Sequence, residues 1–249
     1  MSPPARLRRT RSRLPAEQRT AEIMVVAAAV FCEKGYVQAS TAEIAARVGV
    51  VEGTLYRYFQ TKRDLFIKVV EQFYEKSFGD YDQQLRGLRG TSNRLRFLVW
   101  KHLALFHAQP RMCRLITEEL RTWPEYRQTS VYQLNRNYTQ HVLRVVREGV
   151  AAGEFRAGVP PRIVRDMIFG GCEHHTWSYL RGEGDFDAVV AADAITDLVC
   201  RGLAPTGVAT AGLVDAPVGR LENVAARLEN LARVRAHVRR PRRAARSGS

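Results

Sequence analysis

The chain has 249 residues, of which 45% are hydrophobic and 26% are charged, and its formal net charge is +14 at pH 7. That length allows one or two domains with a sizeable core. No run approaches the roughly eighteen apolar residues of a membrane span, and the four cysteines lack the spacing of a zinc site or a disulfide framework. These features favour a cytoplasmic protein without a metal or cofactor, and they argue against a membrane-inserted or secreted one.

The positive charge is concentrated at the two ends of the chain. Residues 1–20 hold six arginines and one glutamate, and residues 220–249 hold nine arginines and two glutamates, which leaves only +2 for the residues between them. Such basic arms can follow the phosphates of a nucleic acid. The arginine-rich start also fits a mitochondrial presequence, but the pattern that follows it makes a nucleic-acid arm the better interpretation.

Two short helices with a common apolar side are predicted after the N-terminal arm. The first repeats apolar residues at helical spacing from Ile23 to Phe31 and ends with the Lys34-Gly35 pair. The second begins with Ser40-Thr41-Ala42-Glu43, a capping box in which the Ser40 hydroxyl and the Glu43 carboxylate each accept from a backbone amide.

A third helix follows the turn at Gly49, and its apolar residues are Val51, Leu55 and Phe59. The other side of this helix exposes polar and aromatic residues. The helix itself is too short to be stable unless a partner binds that side. Two helices joined by a tight turn, with the second exposing such groups, are typical of a recognition helix that enters the major groove of DNA.

The run from residue 41 to residue 66, TAEIAARVGVVEGTLYRYFQTKRDLF, resembles the N-terminal domain of TetR-family transcriptional regulators. The resemblance extends over roughly sixty residues and includes a lysine three residues after Phe59. It implies phosphate contacts from Ser40 or Thr41, Tyr58 and Lys62. It also implies contacts to bases or adjacent phosphates from Thr54, Tyr56 and Arg57.

Two residues depart from the family pattern. Val51 stands where the family often has a small hydroxyl residue that caps the recognition helix, and Glu52 stands where a basic residue is frequent. Glu52 suits the positive end of the helix dipole and can accept from cytosine N4, but it also weakens nonspecific attraction to phosphates. Alternatives remain for single residues, since Tyr56 can pack between helices and Arg57 can be a solvated surface charge.

The remaining chain is predicted to be helical, with no alternating strand pattern. Helices are expected over 95–106, 112–120, 125–152, 161–180 and 186–203. The fold class is therefore all-α, with an N-terminal three-helix helix-turn-helix domain and a larger C-terminal helical domain. The resemblance implies that the larger domain binds a ligand and dimerises through its last two long helices.

Candidate residues for these two tasks lie on the helices after residue 95. The dimer candidates include the glycine pair that would permit close helix approach, and they are Met167, Gly170, Gly171, Ile195 and Val199. The pocket candidates combine aromatic walls with polar groups that can orient a ligand, and they are Trp100, Arg121, Trp123, Asn135, Tyr138, His141, His174 and Trp177. Aromatic residues at helical spacing also fit an ordinary core, and close packing within one subunit is an alternative for the glycines. Adjacent histidines on a helix diverge by about a hundred degrees, which argues against a metal site there.

The domain boundaries follow from these patterns. We expect a basic arm over 1–16, a DNA-binding domain over 17–77 with its helix-turn-helix at about 40–59, and a ligand-binding and dimerisation domain over 78–203. A linker over 204–219 leads to an amphipathic helix over 220–238 with the local repeat RLENVAA and RLENLAR, followed by a basic tail over 239–249. Two heptads are too short for an independent coiled coil, so this helix is expected to fold back on its own subunit or on a dimer partner.

Three function classes fit a chain of this kind to different degrees. The favoured one is a homodimeric transcription factor, most simply a repressor, which binds a pseudo-palindromic double-stranded operator and responds to a small molecule. A similarity of the segment from Arg121 to Trp177 to regulators of lipid metabolism implies a hydrophobic or acyl-thioester effector. A nonspecific architectural DNA-binding protein is the alternative, and an enzyme finds no supporting motif.

Overall fold

The computed structural model describes residues 15–205, and within that range it contains only helices. The compact unit ends at Leu203. The α-helices are α1 (Ala16–Gln38), α2 (Thr41–Val48), α3 (Glu52–Leu55), α4 (Lys62–Phe78), α5 (Tyr81–Arg86), α6 (Thr91–Ala108), α7 (Pro110–Arg114), α8 (Ser130–Ala151), α9 (Pro161–Leu180) and α10 (Ala188–Leu203). The all-α fold class is thereby confirmed. Nearly all of the predicted N-terminal arm and linker, and the whole of the repeat helix and basic tail, lie outside the described residues, while α1 begins at Ala16, the last residue of the predicted arm.

The first four helices share one apolar core. Ile23, Phe31, Ile44, Leu55 and Phe66 are almost completely buried in it. The apolar side of α1 ends at Phe31, since Lys34, which continues the helical spacing, is exposed and donates to the Glu43 carboxylate at 2.6 Å. The capping of α2 is half as predicted, because Ser40 Oγ accepts from the Glu43 amide at 3.1 Å. The Glu43 carboxylate binds Lys34 and Arg47 instead of a backbone amide.

Gly35 breaks α1 near its end. Its backbone has φ 75° and ψ 170°, a conformation that side chains strongly disfavour, and the last residues of α1 resume helical geometry after it. The neighbouring Tyr36 amide donates to Glu119 Oε2 at 2.7 Å. Glu119 belongs to a turn 83 residues further along the chain, so the break in α1 is one place where the DNA-binding helices contact the larger helical domain.

The recognition helix is shorter than the sequence predicts. Regular helix α3 ends at Leu55, and the chain continues through tight turns in which the Arg57 and Tyr58 amides donate to Thr54 and Leu55 carbonyls. The expectation of a helix reaching Phe59 is therefore wrong. Val51 supplies no side-chain cap to α3, and the next helix begins with its own cap, since Thr61 Oγ1 accepts from the Asp64 amide at 3.0 Å.

The larger domain is built around α6, which contacts α8, α9 and α10. Its core includes Leu95, Leu98, Val142, Ile168 and Ala192, all buried. Helix α9 has the predicted bounds. Helix α8 begins five residues later than predicted because Thr129 Oγ1 caps it by accepting from the Tyr132 amide. The short helix α5 has no counterpart in the sequence prediction.

The segment between α7 and α8 changes helix type twice. The sequence predicts one short helix over 112–120, whereas the structure has a π-helical turn at Leu115–Glu119 and a 3-10 turn at Leu120–Thr122. Single π turns occur frequently at functional sites because they reposition side chains relative to an α-helix. We call Leu115–Glu119 the π turn. None of the described helices combines the length and hydropathy needed to cross a bilayer.

Candidate nucleic-acid interface and effector pocket

The exposed side of the helix-turn-helix brings most of the predicted DNA-binding residues onto one surface. Thr41 Oγ1 donates to Glu52 Oε1 at 2.5 Å and lies 3.1 Å from the Tyr56 hydroxyl. This cluster joins the beginning of α2 to the recognition helix. Glu52 is exposed, but its carboxylate already has a partner, which reduces its freedom to turn towards a base.

Residues around this cluster differ in their freedom. Tyr56 is 49% exposed and Arg57 is exposed, whereas Tyr58 and Thr54 are half-buried. Ser40 is exposed while its hydroxyl caps α2. At Gly53, an added Cβ would meet no protein atom within 4 Å, so a partner can approach the backbone of α3 closely at that point.

Lys62 lies at the edge of this surface and is held by its neighbours. Its ammonium group donates to the Val37 carbonyl at 3.1 Å and lies 4.6 Å from the centre of the Tyr36 ring. Partial burial lowers the pKa of Lys62 from its ordinary value. Its position is therefore fixed by contacts to the end of α1 before any phosphate is bound.

Two cavities lie between the π turn and α9. The outer cavity has a volume of about 340 Å³ and is lined by Phe106, Thr117, Glu118, Gly170, Glu173, His174, Trp177 and Leu180. The inner cavity, of about 40 Å³, is lined by Phe73, Tyr74, Phe78, His102, Leu105, Phe106, Cys113, Ile116, Thr117, Arg121, Asn135, Tyr138 and Glu173. Phe106, Thr117 and Glu173 line both cavities. They form a composite pocket with a wide outer part and a narrow inner part.

The inner cavity is lined by several polar groups as well as by aromatic side chains. Arg121 pairs with Glu173 at 2.5 Å, and the Tyr74 hydroxyl donates to Asn135 Oδ1 at 3.2 Å. Burial lowers the pKa of Arg121, but the Glu173 carboxylate outweighs that effect and the net shift is upward. The inner cavity is therefore lined by a charged pair and hydrogen-bonding groups as well as by apolar surface.

The predicted pocket residues divide into three groups. Arg121, Asn135 and Tyr138 line the inner cavity, and His174 and Trp177 line the outer one. The structure places the other three elsewhere.

Each of those three has different neighbours. Trp100 packs against the core of the larger domain, and Trp123 packs against Tyr36 and Phe66 at the end of α1. His141 faces a surface groove, where its Nδ1 lies 3.6 Å from Asp82.

The pocket residues predicted from the sequence did not include Tyr74, His102 or Glu173, three polar residues that line the inner cavity. His102 lies on the buried face of α6, and its ring is a polar group within the cavity wall. Its Nδ1 lies 2.8 Å from the Tyr138 hydroxyl. A histidine at a core position of a helical pattern is a signal that could have found it.

Helices α9 and α10 both present apolar side chains to the exterior. The outward residues of α9 recur at helical spacing, and they are Ile163, Met167, Gly170, His174 and Trp177. Added Cβ atoms at Gly170 and Gly171 would meet no protein atom within 4 Å, so these glycines do not serve close packing within the subunit. Ile195 and Val199 pack against the subunit's own core, and the outward residues of α10 are Val190, Ala194 and Leu198.

Two family models match separate parts of the chain. The model described as "Bacterial regulatory proteins, tetR family" matches residues 23–69, and the model described as "Tetracyclin repressor-like, C-terminal domain" matches residues 89–203. These ranges cover the helix-turn-helix with its supporting helices and the domain that holds the cavities.

Similar regulators align with most of the chain. The fatty acid metabolism regulator protein of Bacillus subtilis is 23% identical over 182 residues, which are 73% of this chain and 94% of that protein. The transcriptional repressor KstR2 of Mycolicibacterium smegmatis is 26% identical over 170 residues, which are 67% of this chain and 80% of the relative.

A solved structure of a regulator has the same fold. The crystal structure of FadR from Bacillus subtilis in complex with stearoyl-CoA superposes with a TM-score of 0.67 at 24% identity, and it covers 74% of this chain and 98% of that one. The helix-turn-helix, the matched N-terminal and C-terminal domains and these similarities together establish that the chain belongs to the TetR family of DNA-binding transcriptional regulators.

Proposed function

We propose that the protein is a homodimeric, ligand-responsive repressor that binds a pseudo-palindromic operator. The observation that carries the proposal is the exposed surface around α3, where Gly53, Tyr56 and Arg57 have no protein layer over them. Two such surfaces related by a twofold axis would enter successive major grooves. The similarity to a relative named as a transcriptional repressor supports the sign of regulation.

The proposed contacts follow the exposure of each side chain. Arg57, Tyr56 and Thr54 reach bases or adjacent phosphates, and Ser40, Thr41, Tyr58 and Lys62 bind phosphates. Glu52 either accepts from a cytosine amino group or keeps its bond with Thr41, and that bond orients the recognition helix. Phosphate contacts fix the position of the protein on DNA, whereas base contacts fix the sequence.

Selection of bound sequences from random DNA tests the proposal as a whole. We expect two inverted half-sites about one helical turn apart, because each protomer reads one major groove. The alternative, an architectural protein that uses its arginine-rich arms, predicts enrichment of no motif together with a steep salt dependence. A single unpaired motif would contradict the dimeric arrangement while leaving sequence-specific binding intact.

Gly53 offers a sharp test of the DNA surface. Gly53→Ala adds a methyl group to a position that is open in the free protein and helical in conformation, so folding stability should be unchanged or slightly raised. Operator affinity should fall by about tenfold or more if DNA approaches the backbone there. Fluorescence anisotropy with the selected operator measures that affinity, and unaltered affinity would remove Gly53 from the interface.

Two arginines close in sequence provide a matched pair. Arg57 is exposed and lies on the recognition element, whereas Arg63 is held by Glu125 at 3.0 Å and lies over the Trp123 ring. Arg57→Ala should therefore weaken operator binding and alter its sequence preference or its salt slope. Arg63→Ala should leave both nearly unchanged, and equal losses in the two variants would show that net charge alone is being measured.

We assign the dimer face to the outward stripes of α9 and α10. Their apolar side chains include Met167, which is 68% exposed, and Leu198, which is 71% exposed. Exposed apolar stripes on two helices favour association with a second copy. In this arrangement Gly170 and Gly171 admit the symmetry-related helix, and Ile195 and Val199 support the face from within.

Substitution by glutamate tests this assignment. Met167→Glu should shift the protein from dimer to monomer in sedimentation velocity, because it places a charge at the centre of the apolar stripe. Val25→Glu is the control, since Val25 is 63% exposed but lies on α1. A monomeric wild type at micromolar concentration, or a dimer unaffected by Met167→Glu, would contradict the assignment.

We assign effector binding to the composite pocket. Its outer cavity of about 340 Å³ falls within the range of small-molecule sites. Gly170, His174 and Trp177 of the α9 stripe line this cavity, so the partner subunit in the proposed dimer would border it. Because the similar regulator FadR was crystallised with stearoyl-CoA, an apolar or acyl-thioester effector is the natural class to test first. We expect such an effector to release the operator.

The π turn provides a direct connection between this pocket and the DNA-binding helices. Ile116 and Thr117 line the cavities, and Glu119 accepts the amide hydrogen of Tyr36 at the break in α1. A ligand that displaces Thr117 would therefore move the residue that holds α1. Glu119→Ala should reduce the change in operator affinity caused by effector, whereas Glu148→Ala, at an exposed position that lines neither cavity, should leave that change intact. An undiminished response in Glu119→Ala would exclude this connection.

A further inference from the structure

The inner cavity is unlike the simple apolar slot that a hydrocarbon chain requires. A buried apolar cavity is lined by aliphatic and aromatic carbon, whereas a polar cavity binds water or polar ligand atoms. Here a histidine, an arginine-glutamate pair and an asparagine-tyrosine pair share a volume of about 40 Å³. That volume is large enough for a small functional group.

His102 is the group in this wall with unused hydrogen-bonding capacity. Its ring is buried between Phe106 and Phe169, whose centres lie 4.8 and 5.0 Å away. The Tyr138 hydroxyl lies within hydrogen-bond distance of Nδ1. Among the residues that the structure describes, Nε2 has no hydrogen-bond partner. A buried polar atom left without a partner is destabilising, so such an atom on a residue of the cavity wall calls for an occupant.

The polar neighbours indicate what kind of occupant fits. When the Tyr138 hydroxyl donates to Nδ1, Nε2 carries the ring proton and must donate. Arg121 is also a donor, and it pairs with Glu173. With that tautomer, His102 Nε2 and Arg121 are two donors beside one small space, and together they are complementary to an oxygen acceptor. They are a poor match for a methylene or methyl group.

We propose that the inner cavity recognises a carbonyl or carboxylate oxygen on the effector, with His102 Nε2 as the donor. This inference rests on the proposed effector pocket and specifies its ligand class. The apolar body of the ligand occupies the outer cavity, beside Trp177, and the oxygen-bearing end passes Phe106 and Thr117 into the inner cavity. An unsubstituted alkyl end would leave His102 unpaired, so the pocket discriminates oxygenated apolar molecules from plain hydrocarbon chains.

A pair of isosteric probes measures this discrimination. The probes are 2-decanone and 2-methyl-1-decene, which differ only in replacing the carbonyl oxygen by a methylene group, and decanoate serves as the carboxylate. Binding to the full chain is followed by tryptophan fluorescence, since Trp177 lines the outer cavity. The informative quantity is the ratio of dissociation constants, alkene over ketone, because the hydrophobic contribution is shared by both probes.

Two substitutions of His102 carry the test. In His102→Phe the ratio should fall about tenfold relative to the wild type, because the oxygen loses its donor while the ring volume is kept. His102→Gln retains an amide donor and should retain most of the ratio. His102→Met replaces the phenylalanine variant if the latter does not fold, and circular dichroism establishes folding in each case.

The outcomes separate this inference from the proposed effector pocket. Loss of the ratio in His102→Phe with retention in His102→Gln supports it, and tighter decanoate binding that also depends on His102 identifies the carboxylate as the preferred oxygen. An unchanged ratio in His102→Phe overturns it and leaves the pocket itself standing, as expected if water satisfies Nε2. Absence of binding by all three probes also overturns it, while an operator-release screen then decides separately whether the protein responds to any effector.

Discussion

The DNA-binding helices and the larger helical domain differ in whether their cores contain buried polar residues. Among the described residues, every buried polar or charged residue lies beyond α5, and these residues are Thr91, His102, Thr176 and Thr196. The core shared by α1 to α4 is apolar, and its charged residues lie at the surface in pairs such as Lys34–Glu43. A fully apolar core favours one rigid arrangement, whereas two of these polar groups, His102 Nε2 and Thr196 Oγ1, are buried without a partner among the described residues. We therefore expect the DNA-binding helices to be rigid and the larger helical domain to adapt to a bound ligand.

The largest expected loss of stability comes from a substitution in the apolar core of α1 to α4. Phe66 is completely buried and its ring contacts Phe31, Tyr36 and Trp123. Phe66→Ala should lower the free energy of unfolding by about 3–5 kcal/mol because it removes an aromatic ring and leaves a cavity. Urea unfolding measures the loss, and Val37→Ala, at a position that is 76% exposed, should change it very little. A small decrease in the free energy of unfolding of Phe66→Ala would mean that the core of the DNA-binding helices readily rearranges.

The junction of the two regions gives the next effect. Gly35→Ala imposes a side chain on a positive φ and brings Cβ to 2.6 Å from Glu119 Oε1, which must move away from the Tyr36 amide. Backbone strain alone should cost about 1–3 kcal/mol. Gly53→Ala is the matched control, since its backbone is helical and its surroundings are open. Similar thermal unfolding of the two variants would contradict the constraint at Gly35.

The pH dependence of stability should arise in the polar region. Burial lowers the pKa of His102 to about 3, so the folded protein excludes a proton that the unfolded chain binds below about pH 6.5. The stabilising contribution of neutral His102 is therefore complete above that pH and is lost progressively as pH falls towards 3. Between pH 7.5 and 5 the loss should be about 2 kcal/mol. Urea unfolding at both pH values should show a smaller difference in His102→Gln, and an equal difference would assign the effect to other groups.

The smallest effect concerns a surface contact between the two regions. Arg63 lies 4.6 Å from the centre of the Trp123 ring, and its side chain is 44% exposed. Arg63→Ala should cost about 0.5–1 kcal/mol, as expected for an exposed cation over an aromatic ring. Arg57→Ala, which removes a solvated charge, should cost less in the same unfolding experiment. A loss above that of Gly35→Ala would place the main connection between the regions at Arg63.

Local sequence signals predicted the DNA-binding region well because its structure is set by neighbours in the chain. The Ser40 cap, the break at Gly35 and the buried positions of α1 and α2 all follow from residues within a few positions of one another. The length of α3 did not follow, since α3 ends at Leu55 and the next helix begins with its own cap at Thr61. Family membership and the all-α fold were likewise predicted and are confirmed.

The pocket was predicted only in part because its polar pairs join distant segments. Arg121 and Glu173 are 52 residues apart, and His102 and Tyr138 are 36 residues apart. Helical spacing shows which side of a helix is apolar, but it does not show which polar residue on another helix faces it. Trp123 was assigned to the pocket by its type, and its neighbours Tyr36 and Phe66 could be known only from the fold.

The π turn determines the direction in which Glu119, its last residue, and Arg121, which follows it, point from the helix axis. Successive residues of an α-helix advance by about 100°, so a turn that accommodates one residue more than an α-helix keeps Glu119 directed at Tyr36. Removal of a single residue from Leu115–Glu119 would restore an ordinary α-helix. Arg121 and Glu119 would then be carried around the axis by about a quarter of a revolution, and the contact with α1 and the ion pair in the pocket would be lost together. The one additional residue in the π turn therefore maintains both the contact with α1 and the ion pair in the pocket.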